Sequence, residues 1–141
     1  MDKVHAMAFD LKKGIIIIIH EDLIRRGGEV SGIRDEGTID YILDKINGAD
    51  DVFEKAAWAL YMSRLHPFYD GNKRTAFVLA AMILRIYRYW IGKQDEEEIH
   101  QLLHKISNSD HECDVEDIKR WLKKKSRRWW ATVQRTLYDY S

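Results

Sequence analysis

Residues 52–86 read VFEKAAWALYMSRLHPFYDGNKRTAFVLAAMILRI, two apolar segments separated by one break. In the first segment, Val52–Leu65, the apolar residues recur at steps of three and four, which places them on one face of a helix. The second segment, Thr75–Ile86, is apolar on nearly every side, as is typical of a helix in the middle of a bundle. The break at 66–71 contains a glycine and the only proline of the chain, so it must end the first helix. These residues predict a helical core whose second helix is central and buried.

Three further segments have the pattern of amphipathic helices: Glu36–Ile46, Asp95–Ile106 and Asp114–Lys125. Each carries apolar residues at helical spacing, and the last two begin with acidic residues, which suit the positive end of the helix dipole. We therefore expect an all-α fold, mainly a single-domain helical bundle.

Two segments nearer the N-terminus are harder to assign. Ile15–Ile19 is a run of five β-branched residues, which favours a strand by propensity. Helix-compatible residues follow it, and tertiary context often overrides propensity, so we interpret the run as a buried helix. Gly27, Gly28 and Gly32 surround residues 29–31, which indicates a loop or a short β-hairpin.

The composition fits one compact domain. Of the 141 residues, 45% are apolar and 33% are charged, which is enough for a core and a polar surface. The 23 basic and 23 acidic residues cancel to a net charge of zero, which argues against a disordered chain. The longest apolar run is too short to span a membrane, and the single cysteine, Cys113, excludes an intrachain disulfide. We expect a single domain over residues 1–141, located in the reducing cytoplasm.

One segment concentrates residue types that carry chemistry. His66 has an imidazole able to take a proton from a hydroxyl group, and Asp70 is a hard oxygen ligand suited to Mg²⁺. Gly71 lets a phosphate approach the start of the following helix, where free N–H groups bind anions. Lys73 and Arg74 add positive charge at the same place. The segment predicts transfer of a phosphoryl or nucleotidyl group to a hydroxyl.

Residues 66–76, HPFYDGNKRTA, resemble the active-site motif of the Fic superfamily, HxFxDGNGRxxR, in which the Asp can also be Glu. Lys73 stands at the second glycine of that motif and Phe77 at its final arginine, and both departures are typical of the Doc (death-on-curing) toxin branch. A second match, GIRDEG at 32–37, is similar to a segment common in Doc-like chains. The resemblance extends over roughly residues 10–125, followed by a basic and aromatic extension within 119–141.

The resemblance implies a role for each matched residue. His66 corresponds to the general base that deprotonates the target hydroxyl, and Asp70 to the Mg²⁺ ligand. Phe68 corresponds to an apolar anchor that fixes the loop to the helices beneath it. The residues that hold the phosphates would be Gly71, Asn72, Lys73 and Arg74.

The Doc-like form implies ATP with Mg²⁺ as cofactor and transfer of the γ-phosphate to a hydroxyl side chain of a target protein. Most Fic enzymes transfer AMP, so adenylylation by the same site is the alternative. Lys73 adds bulk and charge where a glycine would let the α-phosphate lie close to the backbone, which favours phosphate transfer. A catalytically idle module that binds an antitoxin is a further alternative.

The resemblance also bears on control and on partners. Many Fic proteins carry an inhibitory helix in which Ser or Thr stands four residues before a Glu that is followed by Gly or Asn. The nearest candidate is Glu36-Gly37, but Gly32 occupies the Ser/Thr position, so we expect a separate small antitoxin instead. The segment Gly27–Ile33, including Gly28 and Val30, is expected to form a flap that holds the target by strand pairing. The translation machinery is one candidate target.

The basic segment 119–128 contains seven Lys and Arg residues, with tryptophans interleaved. Such a cluster could bind nucleic acid, a membrane surface or an acidic protein. We favour a helix end whose bases complement the helix dipole and the acids at 95–98 and 114–117. Trp129 and Trp130 could contribute to a dimer or to a partner-docking patch, and the oligomeric state stays open.

Three smaller features receive a structural interpretation. His100 and His104 lie one helical turn apart and could share a metal, but an ordinary helix surface is the better interpretation. Arg34 and Glu36 are expected to make an ion pair or turn contacts rather than to act in catalysis. Cys113 is interpreted as a loop residue.

Overall fold

The computed structural model describes residues 10–27, 30–92, 95–108 and 112–128. Within these ranges the chain forms six helices and one two-stranded antiparallel sheet, so the all-α prediction is confirmed. In chain order the elements are α1 (Lys13–Gly27), α2 (Glu36–Gly48), α3 (Val52–Leu65), α4 (Asn72–Ile86), β1 (Tyr89–Trp90), α5 (Glu96–Ser107), α6 (Val115–Lys125) and β2 (Arg127–Arg128).

Three helices begin after an aspartate whose side chain caps the first turn. In each case the carboxylate accepts a hydrogen bond from a backbone N–H of the first turn, which satisfies one of the donors that a helix start leaves free. The pairs are Asp35 with Thr38 at 3.3 Å, Asp51 with Phe53 at 3.1 Å, and Asp114 with Asp117 at 2.9 Å. Side-chain caps therefore account for the start of α2, α3 and α6.

The central helix of the bundle is α3. It packs against α2, α4, α5 and α6, and its buried residues lie on all its sides. Many of them are small, and small side chains let four neighbouring helices approach closely. These buried residues are Phe53, Lys55, Ala56, Ala57, Ala59, Leu60, Met62 and Ser63.

The prediction that Thr75–Ile86 forms the middle of the bundle was wrong. These residues belong to α4, which packs against α1 and α3 and buries one face. On its outer face, Val78 is 37% exposed and Ile86 is 46% exposed. An apolar sequence indicates which residues of a helix can be buried. The number of helices that pack against it depends on how the whole bundle is assembled.

The β-branched run Ile15–Ile19 is helical, as predicted, and lies in α1. Its burial is only partial, which corrects the expectation of a buried helix. The face formed by Ile16, His20 and Ile24, spaced four residues apart, is buried, whereas Ile18 is 62% exposed. The reason is position, because among the described helices α1 packs mainly on α4 and, to a smaller extent, on α2.

The glycine-rich segment after α1 does not form a hairpin in its described part. Gly28 lies outside the described residues, and Ile33 makes an isolated antiparallel bridge with Phe68. The paired strands occur elsewhere, between β1 and β2, with Tyr89 opposite Arg128. This pairing joins the end of α6 to the segment that follows α4.

Lys119, Arg120 and Lys125 of α6 make ion pairs, which supports the structural interpretation of this cluster. Lys125 lies 2.6 Å from Glu98 of α5, one of the predicted acidic partners. Lys119 lies 3.4 Å from Asp51 and 3.7 Å from Glu54, at the start of α3. The pairs therefore connect different helices as well as neighbouring turns.

The remaining features concern metals and membranes. In the described ranges no group of three His, Cys, Asp or Glu side chains could hold a metal ion, and His100 and His104 are exposed on α5. Cys113 lies outside the helices, as predicted, and is buried. Trp129 and Trp130 lie outside the described residues. No helix in the described part is both long enough and apolar enough to cross a membrane.

Candidate active site

The loop between α3 and α4 is built on two left-handed backbone positions. Helix α3 ends at Leu65 and is followed by His66, whose φ is 49°, and α4 begins after Gly71, whose φ is 75°. Glycine adopts this conformation without a steric cost, whereas a residue with a Cβ pays one. A left-handed histidine is the kind of strained backbone that accumulates at functional sites.

The Asn72 side chain holds the loop together from within. Its Oδ1 accepts a hydrogen bond from the Phe68 N–H at 3.0 Å, and its Nδ2 donates to the Phe68 carbonyl at 2.9 Å. Both polar atoms of the amide are therefore engaged with the loop backbone. The donors of Asn72 left for an anion are its backbone N–H and the second hydrogen of Nδ2.

Phe68 anchors the loop in the core, as the sequence predicts. Its side chain is 1% exposed and its ring stacks on His20 of α1, with centroids 3.6 Å apart and planes inclined by 6°. Nε2 of His20 lies 2.7 Å from the carbonyl oxygen of Asp70. His20 was not predicted as a site residue, and the signal available for it was a lone histidine on the apolar face of α1.

The segment before α2 lies along the other side of the loop. The backbone N–H groups of Arg34 and Asp35 both donate to the Pro67 carbonyl, at 2.7 and 3.0 Å, and Tyr69 donates to Gly32 at 3.3 Å. The Arg34 guanidinium donates to the carbonyl of His66 at 2.7 Å. Arg34 thus makes the turn contacts that the sequence predicts.

Glu36, the other residue of that prediction, pairs with Lys13 of α1 at 3.2 Å. This ion pair ties the start of α2 to α1 and does not involve the loop between α3 and α4. Glu36 is therefore structural, as expected, although its partner is not Arg34.

A cleft of about 740 Å³ opens over this loop. Its volume lies within the range of small-molecule sites in proteins. Every predicted base, metal-binding and phosphate-binding residue lines it, together with the anchor Phe68: His66, Phe68, Asp70, Gly71, Asn72, Lys73 and Arg74. The structure brings these residues together, while their chemical roles stay predictions.

The electrostatics of the cleft favour an anion. Helix α4 begins at Asn72, and the preceding Gly71 provides no side-chain cap, so the first turn presents uncapped N–H groups at the positive end of the helix dipole. Lys73 and Arg74 are both exposed at this helix start. One oxygen of Asp70 accepts a hydrogen bond from the Gly71 N–H at 3.0 Å, which fixes the carboxylate beside the same helix start.

His66 is partly buried at the edge of the cleft, and its Nδ1 is buried with no hydrogen-bond partner in the described part of the chain. Burial lowers the pKa of His66 below its ordinary value, and the positive charges of Arg34 and Lys73 lower it further. The neutral imidazole, which is the form that can accept a proton, is thereby favoured near neutral pH.

Three further residues border the cleft without having been predicted as site residues. Ser107 lines it from the end of α5, Arg34 from the segment before α2, and Tyr69 is 60% exposed at the rim. No short motif contains all three residues. Ser107 and Arg34 come from parts of the sequence distant from the loop, and Tyr69 stands at a variable position of the motif.

Two of the predicted flap residues are described. Val30 is 65% exposed, and Gly32 adopts a φ of 115° beside the Tyr69 ring. Neither residue lines the cleft, and Gly32 contacts it through Tyr69. A target-binding role for this segment therefore stays a prediction.

A model of the Fic/DOC family matches residues 10–84, just over half of the chain. The chain belongs to the Fic/DOC family. This Fic/DOC match contains the segment before α2, the whole loop between α3 and α4, and most of α4. It ends before residue 125, so Ser107 of the cleft lies beyond it. A search of curated proteins found no match. Fic/DOC proteins are in general nucleotide-dependent transferases.

Proposed function

We propose that this Fic/DOC protein is a Doc-like enzyme that transfers the γ-phosphate of ATP to a hydroxyl side chain of a target protein. One observation carries the proposal. A histidine favoured in its neutral form, a carboxylate and an uncapped helix start with two cations all line one cleft. A proton acceptor, a metal ligand and an anion site are the parts that phosphoryl transfer to a hydroxyl requires.

The triphosphate would bind at the start of α4. The N–H groups of its first turn supply directional donors, and Gly71 has no side chain to obstruct the approach of a phosphate. Lys73 and Arg74 would neutralise the phosphate oxygens. Asn72 would contribute by keeping the loop closed through its two bonds to Phe68.

Asp70 would hold the Mg²⁺ that accompanies ATP. Its Oδ1 is bound to the Gly71 N–H, and in the described part of the chain its Oδ2 accepts no hydrogen bond. One carboxylate together with phosphate oxygens is the donor set in which Mg²⁺ usually binds at nucleotide sites. When bound, the ion supplies positive charge to the phosphate oxygens.

His66 would act as the general base. Because Nδ1 is buried, Nε2 would be the ring nitrogen that accepts the proton. It accepts the proton of the target hydroxyl as the hydroxyl oxygen forms a bond to the γ-phosphorus, and the bond from that phosphorus to the bridging oxygen breaks. ADP leaves with the electron pair of the broken bond, and the phosphorylated side chain is the second product.

Adenylylation by the same cleft is the alternative. Lys73 favours phosphate transfer because its side chain occupies the place where a glycine would admit the α-phosphate. The decisive experiment incubates the protein with candidate targets, including components of the translation machinery, and with ATP labelled at the α- or the γ-phosphate. Transfer of γ-label only supports the proposal, and transfer of α-label only identifies an adenylyltransferase.

Two variants sharpen that experiment. His66→Ala should abolish labelling while ATP still binds, since the base does not hold the phosphates. Lys73→Gly should reduce γ-transfer relative to α-transfer. The idle antitoxin-binding module would instead be indicated by two results together. The wild-type protein would bind ATP but label no target, and the wild type and His66→Ala would have the same effect in a growth assay.

The partners belong to the same proposal. We place the protein in the cytoplasm, where ATP and its protein targets occur, under the control of a separate small antitoxin. The target segment would pair with the edge of residues 30–33 that faces away from Tyr69, since the Gly32 carbonyl already accepts from Tyr69. Nucleic acid is not a favoured partner, because Lys119 and Lys125 are engaged by acids of the chain itself.

A further inference from the structure

His20 is a buried polar residue that the proposed reaction does not use. Its side chain lies in the core face of α1, with 2% exposure, and it does not line the cleft. Its ring lies flat on Phe68 and its Nε2 lies 2.7 Å from the Asp70 carbonyl. The residue therefore contacts the loop from the core and not from the cleft.

The direction of this hydrogen bond follows from its partner. A carbonyl oxygen can only accept, so Nε2 of His20 must carry the hydrogen and donate it. The stacked Phe68 ring fixes the plane of the imidazole, and the plane in turn fixes the direction of the N–H. Two independent contacts thus aim a single donor at the Asp70 carbonyl.

The peptide group that receives this bond connects the two parts of the candidate anion site. On one side of it stands Asp70, and on the other Gly71, which has left-handed φ and starts α4. The Gly71 N–H of the same peptide donates to Oδ1 of Asp70. Rotating this peptide would therefore displace the carboxylate and the helix start together.

The rest of the loop is held by other residues. Asn72 fixes Phe68, and Gly32 fixes the N–H of Tyr69. In the described part of the chain, His20 is the one donor given to the Asp70 carbonyl. Without His20 the Asp70 carbonyl would lose this donor, which costs free energy because the acceptor is partly buried.

We propose that His20 is a positioning residue, which orients the Asp70–Gly71 peptide so that the carboxylate and the N-terminus of α4 face the same phosphate group. The expected effect on nucleotide binding rests on the proposed function, whereas the orienting role itself rests on the geometry of the loop. His20 acts through Asp70 and does not touch the nucleotide.

The test uses variants that separate stacking from hydrogen bonding. His20→Phe keeps a flat ring against Phe68 and removes the donor, His20→Gln restores an N–H donor without the ring, and His20→Ala removes both. Ile16→Val, one turn earlier on the same buried face, is the control for a general loss of packing. Each protein is studied by ATP–Mg²⁺ binding, thermal unfolding and amide hydrogen exchange of residues 68–72.

We expect His20→Phe to weaken ATP–Mg²⁺ binding roughly tenfold and to raise amide exchange in the loop, as the loss of one buried hydrogen bond implies. His20→Gln should partly restore both the ATP–Mg²⁺ affinity and the slow amide exchange of the loop. Ile16→Val should lower the melting temperature without changing the affinity or the loop exchange. Wild-type affinity and loop exchange in His20→Phe would overturn the proposal. The proposal would also be overturned if the ATP–Mg²⁺ affinity fell in proportion to the melting temperature in all four variants.

The two proposals fail in different ways. A wild-type protein that binds no ATP contradicts the proposed function, while loop exchange in the absence of nucleotide still decides whether His20 positions the Asp70–Gly71 peptide. Unchanged loop exchange in both His20→Phe and His20→Ala would refute the positioning role by itself.

Discussion

Nε of Arg34 donates a hydrogen bond to the carbonyl oxygen of His66 at 2.7 Å, and Nη2 of the same guanidinium reaches the Leu65 carbonyl at 3.0 Å. These are the last carbonyls of α3, which have no partner within the helix. The bonds hold the left-handed turn at the proposed base. Arg34 also contributes a positive charge that lowers the pKa of His66, after the larger effect of burial.

Replacing Arg34 should affect position and charge separately. Arg34→Lys keeps the charge and loses the two-pronged cap, so transfer activity should fall at least tenfold while its pH dependence stays in place. Arg34→Met also removes the charge, so the pKa of His66 should rise and the acid limb of the pH–activity profile should move to higher pH. Arg26→Met, at an exposed position on α1, is the control. Identical pH profiles for both Arg34 variants would contradict this role.

The lowered pKa of His66 should also appear in the pH dependence of stability. In the unfolded chain His66 keeps its proton up to a higher pH than in the folded chain. At any pH between the folded pKa and the ordinary pKa, the unfolded chain therefore binds more protons than the folded chain. Stability therefore increases over this window and is lost as pH falls through it. Comparing thermal unfolding of the wild type and His66→Asn at several pH values tests this, since the variant should show a shallower increase. Parallel curves would show that His66 does not contribute.

Gly32 should not tolerate a side chain. Its φ of 115° disfavours any residue with a Cβ, and an added Cβ would lie 3.3 Å from Cδ2 of Tyr69. We expect Gly32→Ala to reduce the free energy of unfolding by about 1–3 kcal/mol, measured in urea. Gly14→Ala in α1, where an added Cβ meets nothing within 4 Å, should instead be neutral or stabilising. Equal effects at the two glycines would show that the strain at Gly32 is unimportant.

Asn72 has a matched control elsewhere in the chain. Asn47 makes the same two bonds to a distant backbone, accepting from Leu11 N–H at 2.8 Å and donating to its carbonyl at 2.9 Å. Asn72→Ala and Asn47→Ala should each lower the free energy of unfolding by about 1–3 kcal/mol. Only Asn72→Ala should also abolish ATP binding, as measured by calorimetry. Loss of binding in both variants, or in neither, would exclude a specific role of the loop amide.

The helices were predictable because their apolar spacing is a local property. Val52–Leu65 coincides with α3, and Asp35 and Asp51 provide the capping chemistry that starts two of the helices. The start of α4 was placed at Thr75 although the helix begins at Asn72, because apolar periodicity cannot detect a polar first turn. The central position of α3 was not predictable either, since a single helix does not encode how many neighbours cover it.

The chemical residues of the cleft were found because they are consecutive. His66 to Arg74 form one motif, and a short loop necessarily brings its own residues together. His20, Arg34 and Ser107 were missed as parts of the site because their relation to the loop exists only in the fold. The sequence places His20 on the apolar face of a helix but does not show which group its side chain contacts.

The Pro67 carbonyl accepts from two successive backbone N–H groups, those of Arg34 and Asp35, while Ile33 bridges Phe68. Two segments that are far apart in the chain therefore form one interlocked unit. An insertion or deletion within 30–35 would shift the register against the loop and displace His66. Exchanging residues 30–35 between relatives would therefore require that residues 66–72 be transplanted with them.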